Sequence, residues 1–414
     1  MNPGAMMTSY EDAKGRRGDK TEKRLKFIAP LRNERTEATS DHADYLGLEN
    51  IQSWTGKLLP SATSDFSEDD NSASGTANVF YSGDVLFGKL RPYLAKALHA
   101  DKDGVCSTEL LVLKPQPDIH PRFLLYSMLS PDFVGQVDAS TFGAKMPRAN
   151  WEFIGSMKLS IPTYETQRLI ADYLDRETGR IDALVAEKEK MLALLEEKRA
   201  ALISRVVTRG LDESVPRKPS GLDWLGEIPE HWEVLPFRWF MRIGSGEFLS
   251  NERISKDKTE EMPIPVVGGN GVFGYTSQAN TEDALVIGRV GAQCGNVHFV
   301  DGPLWVTDNA LLVENISRFE PRYLREVLCL IGLNTLANQS AQPLITGEIV
   351  KDQKIPSPPI SEQSDILQFL KGVHGEYVSL HKKVKASLHL LQERRAALIT
   401  AAVTGRIPVE EMTA

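Results

Sequence analysis

The sequence predicts an α+β protein written twice. Two mixed α/β domains are each followed by a long helix, and the two helices pair as an antiparallel coiled coil about an internal pseudo-twofold repeat. Three observations predict this. First, EKRAALISRVVTRGL at Glu197–Leu211 returns as ERRAALITAAVTGRI at Glu393–Ile407. Second, the likeness extends back to Gln167 and Gln363 at a constant offset of 196 residues (363 − 167), through Ile170/Ile366, Leu174/Leu370, Leu192/Leu388 and Arg199/Arg395. Third, it continues upstream at an offset of 200 (321 − 121): Gly88-Lys89-Leu90 faces Gly288-Arg289-Val290, and PRFL at Pro121 faces PRYL at Pro321. Internal repeats constrain architecture before any local propensity does.

Taken in order, residues 1–22 form a polar arm without the apolar segment of a secretory signal. Residues 23–162 form the first mixed domain, read as short strands that break at glycine, with a short helix at Arg122–Leu129. VFYSGDVLFGKLRPYLAKA, and later ALVIGRVGAQCGNVHFV, alternate apolar and polar residues before their glycines. Residues 163–210 form the first long helix, with Ile181, Leu184, Leu192, Leu195 and Leu202 as its apolar stripe. Residues 211–234 are a connector rich in proline and tryptophan, ordered because Trp224 and Trp232 require burial. Residues 235–358 repeat the mixed domain, with a short helix at Arg322–Leu330. Residues 359–404 repeat the helix, striped by Tyr377, Val384, Leu388, Leu391 and Leu398. Residues 405–414 are a tail, IPVEEMTA from Ile407 onward, matched to the end of the connector. Proline-bearing starts (IPTYETQ, SPPISEQ) and Gly210, Gly405 and Pro408 punctuate the helices.

Composition narrows the class. The formal charge is −8, with 41% hydrophobic and 25% charged residues, an ordinary globular balance. Cys106, Cys294 and Cys329 have no paired spacing, which suits a reducing cytoplasm rather than a disulfide framework. Catalytic motifs are missing. Gly56-Lys57 and Gly88-Lys89 are followed by leucine, not the Ser/Thr of a phosphate loop. The single Asn-Pro, Asn2-Pro3, lies in the tail, and Gly244-Ser245-Gly246 reads as a turn. The histidines have no metal-ligand spacing.

What remains are basic and amide side chains beside glycines. In the first domain they are Lys89, Arg91, Tyr93, Lys96, Lys145, Arg148 and Asn150. In the second they are Asn270, Arg289, Gln293, Asn296 and Asn309, then Asn338, Gln339 and Gln342. Arg, Lys, Asn and Gln are the side chains that grip guanine and adenine edges in the major groove. Nearby glycines let backbone approach phosphate. Each residue taken alone reads first as an ordinary solvated turn residue, but the matched placement of Lys89 and Arg289 favours a shared role.

Several blocks together resemble the type I restriction–modification specificity subunits: YLGLENI at Tyr45, GDVLFGKLRPYLAK at Gly83, WLGEIPEHWEV at Trp224, VVGGNGVFGYT at Val266 and VTDNALLV at Val306, with both helix ends. The resemblance runs from about Leu25 to Ile407. It implies two target-recognition domains, each reading one half of an asymmetric bipartite DNA site. It further implies that the helices fix the half-site spacing and dock two methyltransferase subunits, with motor-nuclease subunits joining the full complex. The chain itself would then be non-catalytic and hold no cofactor, with S-adenosylmethionine, ATP and magnesium in its partners. WLGEIPEHW has no counterpart before the first domain, a departure from simple tandem repetition. The alternative from another class is a coiled-coil scaffold that binds proteins and reads no DNA.

Overall fold

The computed structural model describes residues 21–37, 45–59, 76–143, 145–314, 316–338 and 343–413. Most of the N-terminal arm, the acidic run SDFSEDD at Ser64–Asp70, and both Gln339 and Gln342 lie outside the described residues. In chain order the first part comprises β1 (Thr21–Arg24), α1 (Leu25–Ile28), β2 (Arg35–Glu37), β3 (Tyr45–Leu46), β4 (Thr76–Phe80), β5 (Val85–Gly88), β6 (Ala97–His99), β7 (Gly104–Cys106) and β8 (Leu110–Leu113). Then come α2 (Pro121–Met128), α3 (Pro131–Ala139), α4 (Trp151–Ser156), β9 (Lys158–Ile161) and the long α5 (Tyr164–Arg209). The second part holds β10 (Arg217–Pro219), β11 (Glu227–Pro229), β12 (Glu233–Pro236), β13 (Arg242–Ser245), β14 (Ile264–Gly268), β15 (Gly271–Thr276), β16 (Thr281–Gly288), β17 (Val297–Val306) and β18 (Ala310–Glu314). It closes with α6 (Pro321–Ile331), α7 (Gly347–Lys351), β19 (Lys354–Ser357), the long α8 (Ile360–Val403) and α9 (Val409–Met412).

Two compact units result: Met1–Glu189 with Lys385–Ala414, and Lys190–Val384. Each therefore holds one mixed domain and one half of each long helix. In unit 1 a four-stranded sheet, β2-β4-β7-β3, accompanies a three-stranded one, β6-β5-β8; in unit 2 six strands join as β13-β18-β16-β17-β14-β15. The repeat survives in the register. Val85 faces Leu113 and Gly88 faces Leu110 across β5 and β8, as Leu285 faces Val313 and Gly288 faces Ala310 across β16 and β18. Parallel pairing of β3 with β7 likewise returns as β14 with β17.

These strands are apolar without alternation, contrary to the pattern read from sequence. Val85 and Phe87 face one core of unit 1 while Leu86 faces another. Leu285 and Ile287 face one core of unit 2 and Val286 another. Both faces of these strands are covered, so polar residues have no side to occupy. Each such side chain, fully buried, stabilises by about 1.5–3 kcal/mol. Gly88 and Gly288 end the runs because a Cβ would collide: 2.8 Å from Leu48 Cδ2 in one case, 2.3 Å from the Gln293 carbonyl oxygen in the other.

Each domain is closed by its own ends. β1 pairs antiparallel with β9, Thr21 opposite Ile161, and β12 pairs antiparallel with β19, Glu233 opposite Ser357. Immediately beyond, one glutamine anchors each long helix. Gln167 Nε2 donates to the carbonyls of Asp118 and Pro162 while its Oε1 accepts from His120 N–H. Gln363 does the same with Arg318, Pro358 and Glu320 N–H. Both are 0% exposed.

The helices run antiparallel, as the unit contents require. Ile170, Ala171 and Leu174 of α5 share a core with Ile399, Ala402 and Val403 of α8 in unit 1. Val206 and Val207 of α5 share one with Ile366 and Leu370 of α8 in unit 2. Seam residues on α5 are Ile181, Val185, Lys188, Leu192, Leu195, Arg199 and Leu202, a 4–3 spacing. Leu184, expected in the stripe, is instead 50% exposed. Val185 takes that position because four residues from Ile181 holds the seam where three would rotate off it. Gly210 (φ +75°) and Gly405 (φ +69°) terminate the helices in the left-handed region. In the connector Trp232 is 0% exposed and its Nε1 donates to Glu362, whereas Trp224 remains 38% exposed and does not serve as the second anchor expected of it. The turn Trp232 N–H to Pro229 carbonyl repeats as Glu411 N–H to Pro408 carbonyl in the tail, where Met412 enters the core of unit 1.

Candidate nucleic-acid interface

In both units the strand-ending glycine is followed by a three-segment backbone clasp. Lys89 N–H donates to the Glu109 carbonyl (3.0 Å), Ala149 N–H to the Lys89 carbonyl (2.9 Å) and Arg91 N–H to the Pro147 carbonyl (2.8 Å). Arg289 N–H donates to the Asn309 carbonyl (3.1 Å), Ile345 N–H to the Arg289 carbonyl (3.0 Å) and Gly291 N–H to the Pro343 carbonyl (2.9 Å). Leu90 bridges Arg148 as Val290 bridges Leu344. Three stretches distant in sequence are thereby sewn together, and their side chains emerge side by side.

Unit 1 brings together Lys89, Arg91 and Arg148 through this clasp. Lys145 lies on the hairpin closed by reciprocal bonds between Phe142 and Arg148, and Tyr93 lies in the turn after Arg91. Arg148 donates to Glu109 Oε1 at 2.8 Å yet keeps 58% of its side chain exposed. No hydrogen bond or ion pair with a described residue occupies the side chains of Lys89, Arg91 or Lys145. Two further candidates are structural: Lys96 donates to the Leu48 carbonyl (2.6 Å), with burial pushing its ammonium below the usual lysine range. Asn150 caps α4 by accepting from Glu152 N–H. The phenol of Tyr93 stands 45% exposed.

Unit 2 sets Arg289 against Ser245 Oγ (3.2 Å), while Gln293 accepts from Asn296 (2.6 Å). Asn309 lies exposed in the β17–β18 turn. Asn270 occupies the tight β14–β15 turn beside Gly269, whose Cα approaches so near that an added Cβ would lie 3.4 Å from Gly288 Cα and 3.9 Å from the Gln293 carbonyl. The four residues therefore belong to one surface. Gln342 falls outside the described residues. Sequence reading missed Phe142 and Met146, which project from the Lys145 hairpin with 76% and 58% exposure. An isolated apolar residue in a loop carries no periodic signal, so composition could not separate them from core. It also missed Ser245, read only as a turn residue.

No group of three or more His, Cys, Asp or Glu among the described residues is placed to hold a metal ion, and no described helix is long and apolar enough to cross a membrane. The arrangement offers hydrogen-bond donors on backbone-fixed loops, suited to reading a polyanion's edges.

A specificity subunit of the type I restriction enzyme MjaVIII from Methanocaldococcus jannaschii is 23% identical over 343 residues, covering 75% of this chain and 76% of that protein. The EcoprrI specificity subunit of Escherichia coli is 31% identical over 131 residues, 31% of this chain and 33% of that protein. Among solved structures, a chain from work on complex assembly and conformational transition of the type I R-M system superposes with a TM-score of 0.71 at 18% identity, over 94% of this chain and 98% of that one. The HsdS subunit from Thermoanaerobacter tengcongensis gives 0.51, also at 18% identity, over 94% and 97%. The family described as "Type I restriction modification DNA specificity domain" matches residues 19–192 and again 229–390. With both repeats matched over most of its length, the chain belongs to the type I restriction modification DNA specificity domain family.

Proposed function

We propose that this chain is the sequence-reading, non-catalytic subunit of a type I restriction–modification complex, with each clasp surface reading one half of a bipartite DNA site. The duplicated clasp carries this reading: one backbone device in both units presents Lys89, Arg91, Lys145 and Arg148 on one surface and Asn270, Arg289, Gln293 and Asn309 on the other. The side chains differ, so the half-sites differ. The two long helices, each running from one unit into the other, set the spacing between the half-sites. The exposed flanks of α5 and α8 are where two methyltransferase subunits dock, and motor-nuclease subunits complete the assembly. S-adenosylmethionine belongs to the former, ATP and magnesium to the latter. The acidic net charge fits a reader that shares phosphate contact with its partners.

Single-molecule sequencing of adenine methylation tests this in a host carrying the chain with its methyltransferase, and in one lacking only the chain. The expected result is loss of one split motif with two unlike halves and a fixed gap. An unchanged methylation pattern would favour a protein-binding scaffold instead.

A further inference from the structure

Five non-glycine residues among those described have positive φ: Trp54, Arg91, Ala95, Asp283 and Arg318. Such a conformation costs an L-residue free energy that something else must offset. Four of the five have partners for their side chains, two in the core and two at the surface. Trp54 packs against the core of unit 1, and Ala95 lies within it. Asp283 accepts from Gly302 N–H, and Arg318 pairs with Glu233. Arg91 is the exception: φ +49° and ψ +59°, exposed, its guanidinium without a partner among the described residues.

The other repeat sharpens the contrast. At the matching place stands Gly291 (φ +83°), with the same clasp bond to the 343 carbonyl and the same following turn. Leu94 N–H donates to the Arg91 carbonyl as Cys294 N–H donates to that of Gly291. Nothing lies within 4 Å of a Cβ built on Gly291, so crowding does not select glycine there; the left-handed backbone does. Unit 1 builds this turn with an L-residue that the left-handed backbone disfavours, beside the exposed Phe142, Met146 and Arg148.

We infer that Arg91 is a specificity-determining residue of the first half-site, its guanidinium forking onto a guanine edge, and that the second half-site is read without a side chain at that place. A planar fork matches guanine O6 and N7 together, which a lysine ammonium does not reproduce. This rests on the proposed reading that the unit 1 clasp surface faces DNA.

The test compares R91G and R91K in the full chain co-expressed with its methyltransferase. R91G, copying Gly291, is expected to raise the thermal midpoint by about 2–4 °C, and to relax the methylated motif at one G·C pair of one half-site by roughly tenfold or more. R91K keeps the backbone strain and the charge, and is expected to relax the same pair. A lowered midpoint with an unchanged motif would make Arg91 part of the fold and overturn the inference. Evenly reduced methylation at all sites, restored by R91K, would make it a phosphate contact and equally overturn it. A K89A/K145A double variant separates the two levels. If it alters methylation while R91G does not, only the Arg91 inference fails; if neither does, the proposed surface itself is wrong.

Discussion

Gln167 and Gln363 each satisfy two carbonyls and one N–H with a single buried amide. Truncation to alanine would strand all three backbone groups away from water. Q167A and Q363A should each lower stability by about 2–3 kcal/mol, measured by chemical denaturation. Glutamate would be worse, because a carboxylate cannot donate to the two carbonyls. Arg395 is a second such residue, 8% exposed, donating to Asp182 Oδ1 (2.9 Å) and to the carbonyls of Trp54 (2.6 Å) and Thr55 (3.2 Å). R395A should cost about 3 kcal/mol in the same assay. Its repeat partner Arg199 stacks on Tyr377 at 5.0 Å and pairs with the half-exposed Glu196, so R199A should cost about 1 kcal/mol or less. Sequence alignment of the repeats matched both pairs, glutamine and arginine. It could not assign their partners, most of which come from stretches 43–49, 213 or about 340 residues away.

The helices were legible as elements because charge and leucine alternate at helical spacing over more than forty residues. Which residues face the seam was less so. Leu184 and Val185 are both apolar, and the sequence does not say which is shielded; in the fold Val185 is half-buried and Leu184 exposed. The strands were misread in pattern for a related reason: a two-sided core erases the period of two that announces a strand. On the α5–α8 pair in unit 2, a hydrogen bond from Tyr377 holds the Glu196 carboxyl below its ordinary value of 4.5, with Arg199 adding to the shift. A depressed carboxylate stabilises the fold above its unfolded value and loses that contribution as pH falls through the folded one. Y377F should therefore leave stability near pH 7 lower than wild type, with the gap closing as pH drops below about 4.5. An NMR titration of Glu196 in Y377F should move towards the ordinary value. A Glu196 titration identical in both proteins would remove the hydrogen bond as its cause.

At the scale of the molecule, the repeat is conserved in backbone and divergent in surface. β-strand register, clasp and glutamine anchor recur across the two units with sequence offsets of 196 or 200, while the six-stranded sheet of unit 2 answers two separate sheets in unit 1. Duplication was visible in sequence because helix ends and glycines are constrained by packing and by φ. The clasp surface was visible only as a scatter of polar residues, since a clasp made of main-chain bonds leaves no side-chain signature. The paired necks, β1 with β9 and β12 with β19, carry a consequence for how such a protein can change. Chain enters and leaves each mixed domain through adjacent antiparallel strands, so its covalent continuity with the long helices runs through one zipped stem, while its remaining contacts with them are side-chain packing and hydrogen bonds. A different domain ending in the same stem, and keeping the same contacts to the helices, could be spliced in by recombination at two points while both long helices stayed unaltered.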